Sequence, residues 1–126
     1  MTKQINEILE RRIMVLDGAM GTMIQRYGLA EEDFRGEGFT AHAVKLAGNN
    51  DLLTITRPDV ISAIHREYLE AGADIITTCT FNAQAISQAE YKMQSEVRTM
   101  NRAAVALARK EADRIIREAF DDMGQE

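Results

Sequence analysis

The sequence is poor in the residues that build disulfides, metal centres and sharp chain reversals. Its 126 residues include one cysteine, one proline and no tryptophan. A single cysteine cannot form an internal disulfide, which agrees with a reducing, cytoplasmic compartment. It also cannot build a cysteine-rich zinc site, and the chain has only two histidines as other ligands of that kind. We therefore expect no metal site within this chain.

Basic charge and long apolar runs are also missing. The formal net charge is −5, whereas nucleic acids and anionic membranes attract basic surfaces. No apolar run approaches the roughly 20 residues that a membrane-spanning helix needs. The N-terminal sequence MTKQINEILERR lacks the apolar core of a signal peptide. We expect a cytoplasmic globular protein that binds neither nucleic acid nor membrane.

The hydrophobic pattern predicts helices that alternate with two buried strands. Helical spacing of apolar residues predicts helices over residues 2–12, 22–27, 56–71, 83–91 and 95–120. For the helix over 56–71, we expect Thr56 as the N-cap, Pro58 in the first turn and Gly72 just after the end. The apolar run Ile13–Leu16 and the segment Asp74–Thr78 predict buried strands, as in parallel sheets. Strands that alternate with helices favour an α/β fold. Since two parallel strands leave both sheet edges open, we interpret the chain as part of an α/β domain.

The sequence VLDGAMGT, residues 15–22, places a carboxylate and two glycines between a predicted strand and a predicted helix. In α/β folds, ligands bind at the carboxyl ends of parallel strands. Gly18 and Gly21 lack Cβ atoms, so a ligand could approach the backbone, and the first amides of the helix could hold an anion. Asp17 could accept hydrogen bonds from a ligand ammonium. A glycine turn capped by Asp17 explains the same spacing equally well.

The sequence TTCTFN, residues 77–82, places polar groups at the end of the second predicted strand. Taken alone, a strand end with capping groups is the simpler interpretation. Cys79 would need a nearby base to act as a nucleophile. His65 lies beside the apolar stripe of a predicted helix, where a hydrogen-bonded or solvent-edge histidine is expected, and His42 lies in an irregular segment. We therefore expect no catalytic pair between Cys79 and a histidine.

Residues 29–53 form a long segment with glycines, acids and little periodicity. Structureless segments of this length are uncommon in compact domains. We interpret it as a segment with a functional or wrapping role rather than a plain connection.

Five segments of the chain, in order, carry a resemblance to a known family. They are LDGAMGT (16–22), EEDFRGE (31–37), GNNDLL (48–53), RPDVISAIHREYLEAGADII (57–76) and TFNA (80–83). Together they resemble the start of the homocysteine-binding domain in the cobalamin-dependent methionine synthase family. The first segment is shared by homocysteine S-methyltransferases generally, whereas EEDFRGE and GNNDLL are more specific to the cobalamin-dependent enzymes.

The resemblance implies a fold and an activity. Residues 1–126 would be the N-terminal part of a (β/α)8 TIM barrel, with a leading helix and about two βα units, incomplete at the C-terminal side. In the intact enzyme, a zinc ion held by three cysteines activates homocysteine. The thiolate takes a methyl group from methylcobalamin, which 5-methyltetrahydrofolate recharges, and methionine is formed. The zinc cysteines lie on later strands, and the cobalamin and folate domains belong to the same intact chain. We therefore expect this chain to bind no cofactor and to be inactive alone.

Residue by residue, the resemblance assigns one wall of the homocysteine pocket and no catalytic residue. The homocysteine-binding candidates are Asp17, Gly18, Gly21, Thr22, Thr80, Phe81 and Asn82. One position departs from the family pattern, because Cys79 stands where the family usually carries asparagine in Thr-Asn-Thr-Phe. A thiol cannot supply the donor and acceptor pair of an amide.

Two alternatives remain. The chain could belong to a cobalamin-independent homocysteine S-methyltransferase that uses betaine or S-methylmethionine and shares the Asp-Gly motif. The Arg35-Gly36-Glu37 and Gly48-Asn49-Asn50 segments argue against it. Alternatively, it could be a non-catalytic, truncated module that self-associates through open sheet edges.

Overall fold

The computed structural model describes residues 2–124, and this part of the chain is a set of packed helices without a β-sheet. Its α-helices are α1 (Thr2–Leu9), α2 (Met20–Gln25), α3 (Glu31–Arg35), α4 (Leu53–Thr56), α5 (Pro58–Glu70), α6 (Ala85–Ala89) and α7 (Val97–Gly124). Short 3-10 turns, Asn50–Leu52 and Gln94–Glu96, precede α4 and α7. Over the same residues, no helix has both the length and the apolar character that crossing a membrane requires.

The predicted α/β fold, a TIM-barrel fragment with two buried strands, is therefore wrong for the described residues. The segments Ile13–Leu16 and Asp74–Thr78, here called the extended pair, meet in one isolated parallel bridge between Leu16 and Ile75. In that bridge the Asp17 N–H donates to the Ile75 carbonyl at 2.9 Å. A strand is held by ladders to its neighbours, and the rest of residues 2–124 supplies none. The run predicted to be buried stays exposed, with Ile13 at 85%.

The core lies between the central helices α4, α5 and α7. Helix α5 begins with Pro58 in its first turn, where the missing N–H costs nothing, as predicted. It ends before Gly72, whose φ of +108° suits glycine. Thr56 does not cap α5, because it belongs to α4. The apolar core side chains with no exposed surface are Leu46, Leu52, Leu53, Ile61, Ile64, Met100 and Ala104.

Helix α7 buries a slightly different face from the predicted one. The sequence pattern predicts a stripe of Val97, Met100, Ala104, Leu107, Ala112 and Ile115. The residues that are buried are Met100, Ala104, Ala108 and Glu111. The Glu111 carboxylate accepts two hydrogen bonds of 3.3 Å from the Arg66 guanidinium of α5. This ion pair lets the helix bury a carboxylate against α5, which apolar periodicity cannot foresee.

The irregular segment after α3 is held in place by two charged side chains of that helix. The Arg35 guanidinium donates to four backbone carbonyls, those of Phe39, Thr40, His42 and Val44. The Glu31 carboxylate accepts the N–H groups of Leu46 and Ala47, and the bond from Leu46 is the main cause of a lowered Glu31 pKa. The segment is thereby folded back, and residues 48–51 are brought beside the extended pair.

Candidate functional site

A cavity of about 380 Å³ opens where three segments meet. These are the turn after the first extended segment, residues 50–51, and the loop after the second extended segment. Its lining residues are Asp17, Gly18, Met20, Gly21, Asn50, Asp51, Thr77, Thr78, Cys79, Thr80, Phe81 and Asn82. A volume of this size is within the usual range for small-molecule sites.

The Asp17 carboxylate forms the first wall and also fastens the second extended segment. Its Oδ2 accepts the Thr77 N–H at 2.9 Å, and its Oδ1 accepts the Thr77 hydroxyl at 3.0 Å. Each carboxylate oxygen can accept more than one hydrogen bond. Asp17 therefore ties the turn to the second extended segment. Its oxygens can still accept hydrogen bonds from a ligand in the cavity.

The two glycines of this wall differ in the space around them. A Cβ on Gly18 would lie 2.9 Å from the Tyr68 hydroxyl. That hydroxyl donates to the Ala19 carbonyl at 2.8 Å, so α5 is tied to the turn. Gly18 thus makes room for Tyr68, and it also lines the cavity. A Cβ on Gly21 would make only an ordinary 3.6 Å contact with the Asn50 amide.

The second wall is the loop of residues 77–82. The hydroxyls of Thr78 and Thr80 lie 2.8 Å apart and share a hydrogen bond. Phe81 stands at the rim with 93% of its surface exposed, and the Asn82 side chain is also exposed. This wall therefore offers hydroxyl, amide and aromatic groups to a ligand.

Asp51 and Cys79 form the buried base of the cavity. The Cys79 thiol donates to Asp51 Oδ1 at 3.3 Å, and the Asn82 N–H donates to Asp51 Oδ2 at 2.5 Å. Burial raises the pKa of the Asp51 carboxyl. Burial, and then the neighbouring Asp51, raise the pKa of the Cys79 thiol far above its usual range. Cys79 is thus a protonated structural thiol and a poor nucleophile.

Neither histidine is placed to activate Cys79. His42 Nε2 bonds to the Tyr91 carbonyl at 2.8 Å. His65 is fully buried in α5, and its two ring nitrogens have no hydrogen-bond partner within the described part of the chain. The sequence interpretation of His65 as a satisfied or solvent-edge histidine is therefore wrong. Its pKa is lowered by burial, against the opposing influence of Asp17 and Glu111.

A zinc ion of the kind that the resemblance implies does not fit the described residues. Between residues 2 and 124, no group of three or more His, Cys, Asp or Glu side chains is placed to hold a metal. The one cysteine is protonated and bonded to a carboxylate, whereas zinc takes thiolate ligands.

The structure brings together most of the residues that the sequence proposed. Asp17, Gly18, Gly21, Thr80, Phe81 and Asn82 all line the cavity, whereas Thr22 does not and lies exposed on α2. The lining residues absent from that set are Met20, Asn50, Asp51, Thr77, Thr78 and Cys79. The signal for Asn50 and Asp51 was the GNNDLL motif, whose polar residues sit in an otherwise irregular segment. Sequence spacing alone does not reveal which loop they face.

A comparison with known protein families identifies the family of this chain. The family model for homocysteine S-methyltransferases matches residues 14–124, which include every residue that lines the cavity. The match covers most of the 126 residues. The chain therefore belongs to the homocysteine S-methyltransferase family, a family of methyltransferases that act on homocysteine.

Proposed function

We propose that this cavity binds the amino-acid end of homocysteine during methyl transfer to its sulfur. The carrying observation is its charge: Asp17 and Asp51 line it, and none of its described lining residues is Lys, Arg or His. Two carboxylates in a partly enclosed space favour the ammonium group of an amino acid. The amides of Asn50 and Asn82 and the Thr80 hydroxyl are neutral donors that suit its carboxylate.

The finer proposal is that the chain is part of a cobalamin-dependent methionine synthase. The EEDFRGE and GNNDLL motifs support this choice over a family member that uses betaine or S-methylmethionine. The methyl donor would be methylcobalamin, recharged by 5-methyltetrahydrofolate. Since the described residues fit no zinc, we assign the zinc, cobalamin and folate sites to parts of the intact enzyme outside these 126 residues. This chain would supply one wall of the pocket and be inactive alone.

Calorimetric titration of the chain tests the binding proposal. We expect homocysteine to bind more tightly than 4-mercaptobutanoate, its analogue without the amino group. Asp17→Asn should weaken homocysteine binding by about tenfold or more, because hydrogen bonds to charged groups contribute about 1.5–3 kcal/mol. Asp113→Asn, at an exposed carboxylate on α7, is the matched control and should leave the affinity unchanged.

Two results of the titration would contradict the proposal. Equal affinity for homocysteine and 4-mercaptobutanoate would show that the carboxylates do not select an ammonium. Tight, stoichiometric binding of zinc to the chain would contradict the assignment of the metal to other parts of the enzyme.

We also propose that the isolated chain self-associates through the extended pair. Ile13, Leu16 and Ile75 are exposed there, and most backbone groups of both segments have no ladder partner among the described residues. Open strand edges with apolar side chains favour pairing between molecules. Sedimentation velocity should give a mass above that of the monomer, and Ile13→Lys should reduce it. A monomeric mass with a cooperative thermal transition would contradict this proposal.

A further inference from the structure

The Asn49-Asn50-Asp51 part of the GNNDLL motif makes a set of buried hydrogen bonds that substrate contact does not explain. Asn49 does not line the cavity, although it is almost completely buried. Its amide pairs reciprocally with the amide of Gln88 on α6, at 2.8 and 3.0 Å. The motif thus reaches from the cavity to a helix that lies behind it.

The bonds from this motif converge on the backbone of one residue of the cavity wall, Asn82. The Asp51 carboxylate accepts the Asn82 N–H at 2.5 Å. The Gln88 amide, oriented by Asn49, donates to the Asn82 carbonyl at 3.0 Å. The backbone of Asn82 is therefore held on both sides by buried side chains, while its own side chain stays exposed.

These hydrogen bonds are costly to break because the groups that form them are buried. Asn49, Asp51 and Gln88 are each at most 4% exposed, so a broken bond would leave a buried polar group without water to replace the partner. Asn101 of α7 separately holds the next carbonyl, that of Ala83, at 2.8 Å. The loop end is thus tied to the helical core even without the contacts to Asn82.

We propose that Asn49, Asp51 and Gln88 are positioning residues that fix the Asn82 backbone, and with it the Phe81–Asn82 wall, in the geometry that binds the amino-acid substrate. The role in binding rests on the proposed function of the cavity. The positioning role assigns the GNNDLL motif a function that neither a glycine turn nor direct contact with the ligand explains. Asp51 serves this function through its acceptor oxygens, separately from its charge.

Amide hydrogen exchange of the free chain, read by NMR, tests the positioning directly. The Asn82 amide should be protected although its side chain is exposed. Asp51→Leu removes both acceptors and Gln88→Met removes the donor, and each should accelerate Asn82 exchange by about tenfold. Asp51→Asn keeps an acceptor without the charge and should retain most of the protection. Unprotected exchange of Asn82 in the unmodified chain would overturn the proposal.

Homocysteine titration of the Gln88→Met variant links the geometry to binding. This variant changes no charge, and Gln88 does not itself line the cavity but bonds to the Asn82 backbone, so weaker binding by about tenfold would come through Asn82. The control is Glu111→Gln, a buried substitution on α7 that should lower the melting temperature and leave the affinity unchanged. If both variants lose affinity in proportion to their loss of stability, Gln88 affects binding only through the stability of the fold, and the positioning role is overturned.

The outcomes separate this inference from the proposed function. If the unmodified chain binds homocysteine and Gln88→Met binds it equally well, the positioning role is overturned and the proposed function stands. If the unmodified chain does not bind homocysteine, the proposed function fails, and the positioning of Asn82 is then decided by amide exchange alone. Should Gln88→Met fail to fold, the Asp51→Leu and Asp51→Asn pair gives the same comparison.

Discussion

The helical core and the extended pair contain similar apolar residues but bury them to very different extents. Both contain runs of isoleucine, leucine and valine. In α5 the side chains of Val60, Ile61 and Ile64 are at most 1% exposed, whereas Ile13 and Leu16 of the extended pair are 85% and 59% exposed. Apolar composition is therefore not what separates the two regions.

The difference lies in where the backbone finds its hydrogen bonds. A helix satisfies its N–H and C=O groups within the segment and needs other elements only for its apolar stripe. An extended segment needs a neighbour on each side, and the structure supplies a single bridge between Leu16 and Ile75. The cavity lies where these regions meet, with a firmly held base around Asp51 and an open rim at Phe81.

The largest expected effect separates the two regions by one matched substitution. Ile64→Ala should destabilise the chain by about 2–5 kcal/mol, because it opens a cavity in the core. Ile13→Ala removes the same atoms from an exposed side chain and should change stability by no more than about 0.5 kcal/mol. Urea unfolding followed by circular dichroism measures both. Comparable losses would show that the extended pair is buried in solution.

A second, smaller effect concerns the turn that joins the regions. Gly18→Ala places a methyl group 2.9 Å from the Tyr68 hydroxyl and should cost about 1–3 kcal/mol. Gly21→Ala is the control, since its Cβ has room and alanine favours the helix by about 0.5–1 kcal/mol. Thermal unfolding of the two variants gives the comparison. Equal stability would mean that Tyr68 does not pack against the turn.

The smallest expected effect is a pH dependence inside the core. Burial lowers the His65 pKa, so the folded chain keeps the ring neutral at a pH where the unfolded chain, with a histidine pKa near about 6.5, takes up a proton. Stability should therefore fall as the pH drops from about 7.5 to 5.5, and no further change from His65 is expected above that range. Urea midpoints at the two pH values measure it.

Two variants assign this pH dependence. His65→Leu should remove the decrease, whereas His42→Gln, at the half-buried histidine that bonds to Tyr91, should keep most of it. A decrease in stability that persists in His65→Leu and disappears in His42→Gln would contradict this assignment, because His42 would then cause it.

Part of the site could be predicted from sequence because its residues lie in short motifs. Asp17, Gly18 and Gly21 are within five positions of each other, and Thr80, Phe81 and Asn82 are consecutive, so each group stays together in any fold. Asp51 could not be placed, because its contact with Asn82 spans 31 positions and depends on how α3 folds back the intervening segment. Thr22 belongs to the same motif as Asp17 but does not line the cavity.

The helices were predicted more successfully than the extended segments, for a related reason. The pattern of α5, including Pro58 at its start and Gly72 after its end, is local and was confirmed. The predicted strands required neighbouring strands as hydrogen-bond partners. The sequence patterns of residues 13–16 and 74–78 do not indicate whether such neighbours are present. The burial of Glu111 likewise depends on Arg66, which lies 45 positions away.

The sequence by itself determined the longer helices α5 and α7, the two polar motifs and the family, because helical periodicity and short motifs are local properties. Only the tertiary structure decided that the strands reduce to one bridge, that Gly18 makes room for Tyr68, and that Cys79 is an inert thiol held by Asp51. It also decided that the GNNDLL motif holds the Asn82 backbone, directly through Asp51 and, by way of Asn49, through Gln88. These outcomes rest on contacts between residues far apart in the chain, whose geometry exists only after folding.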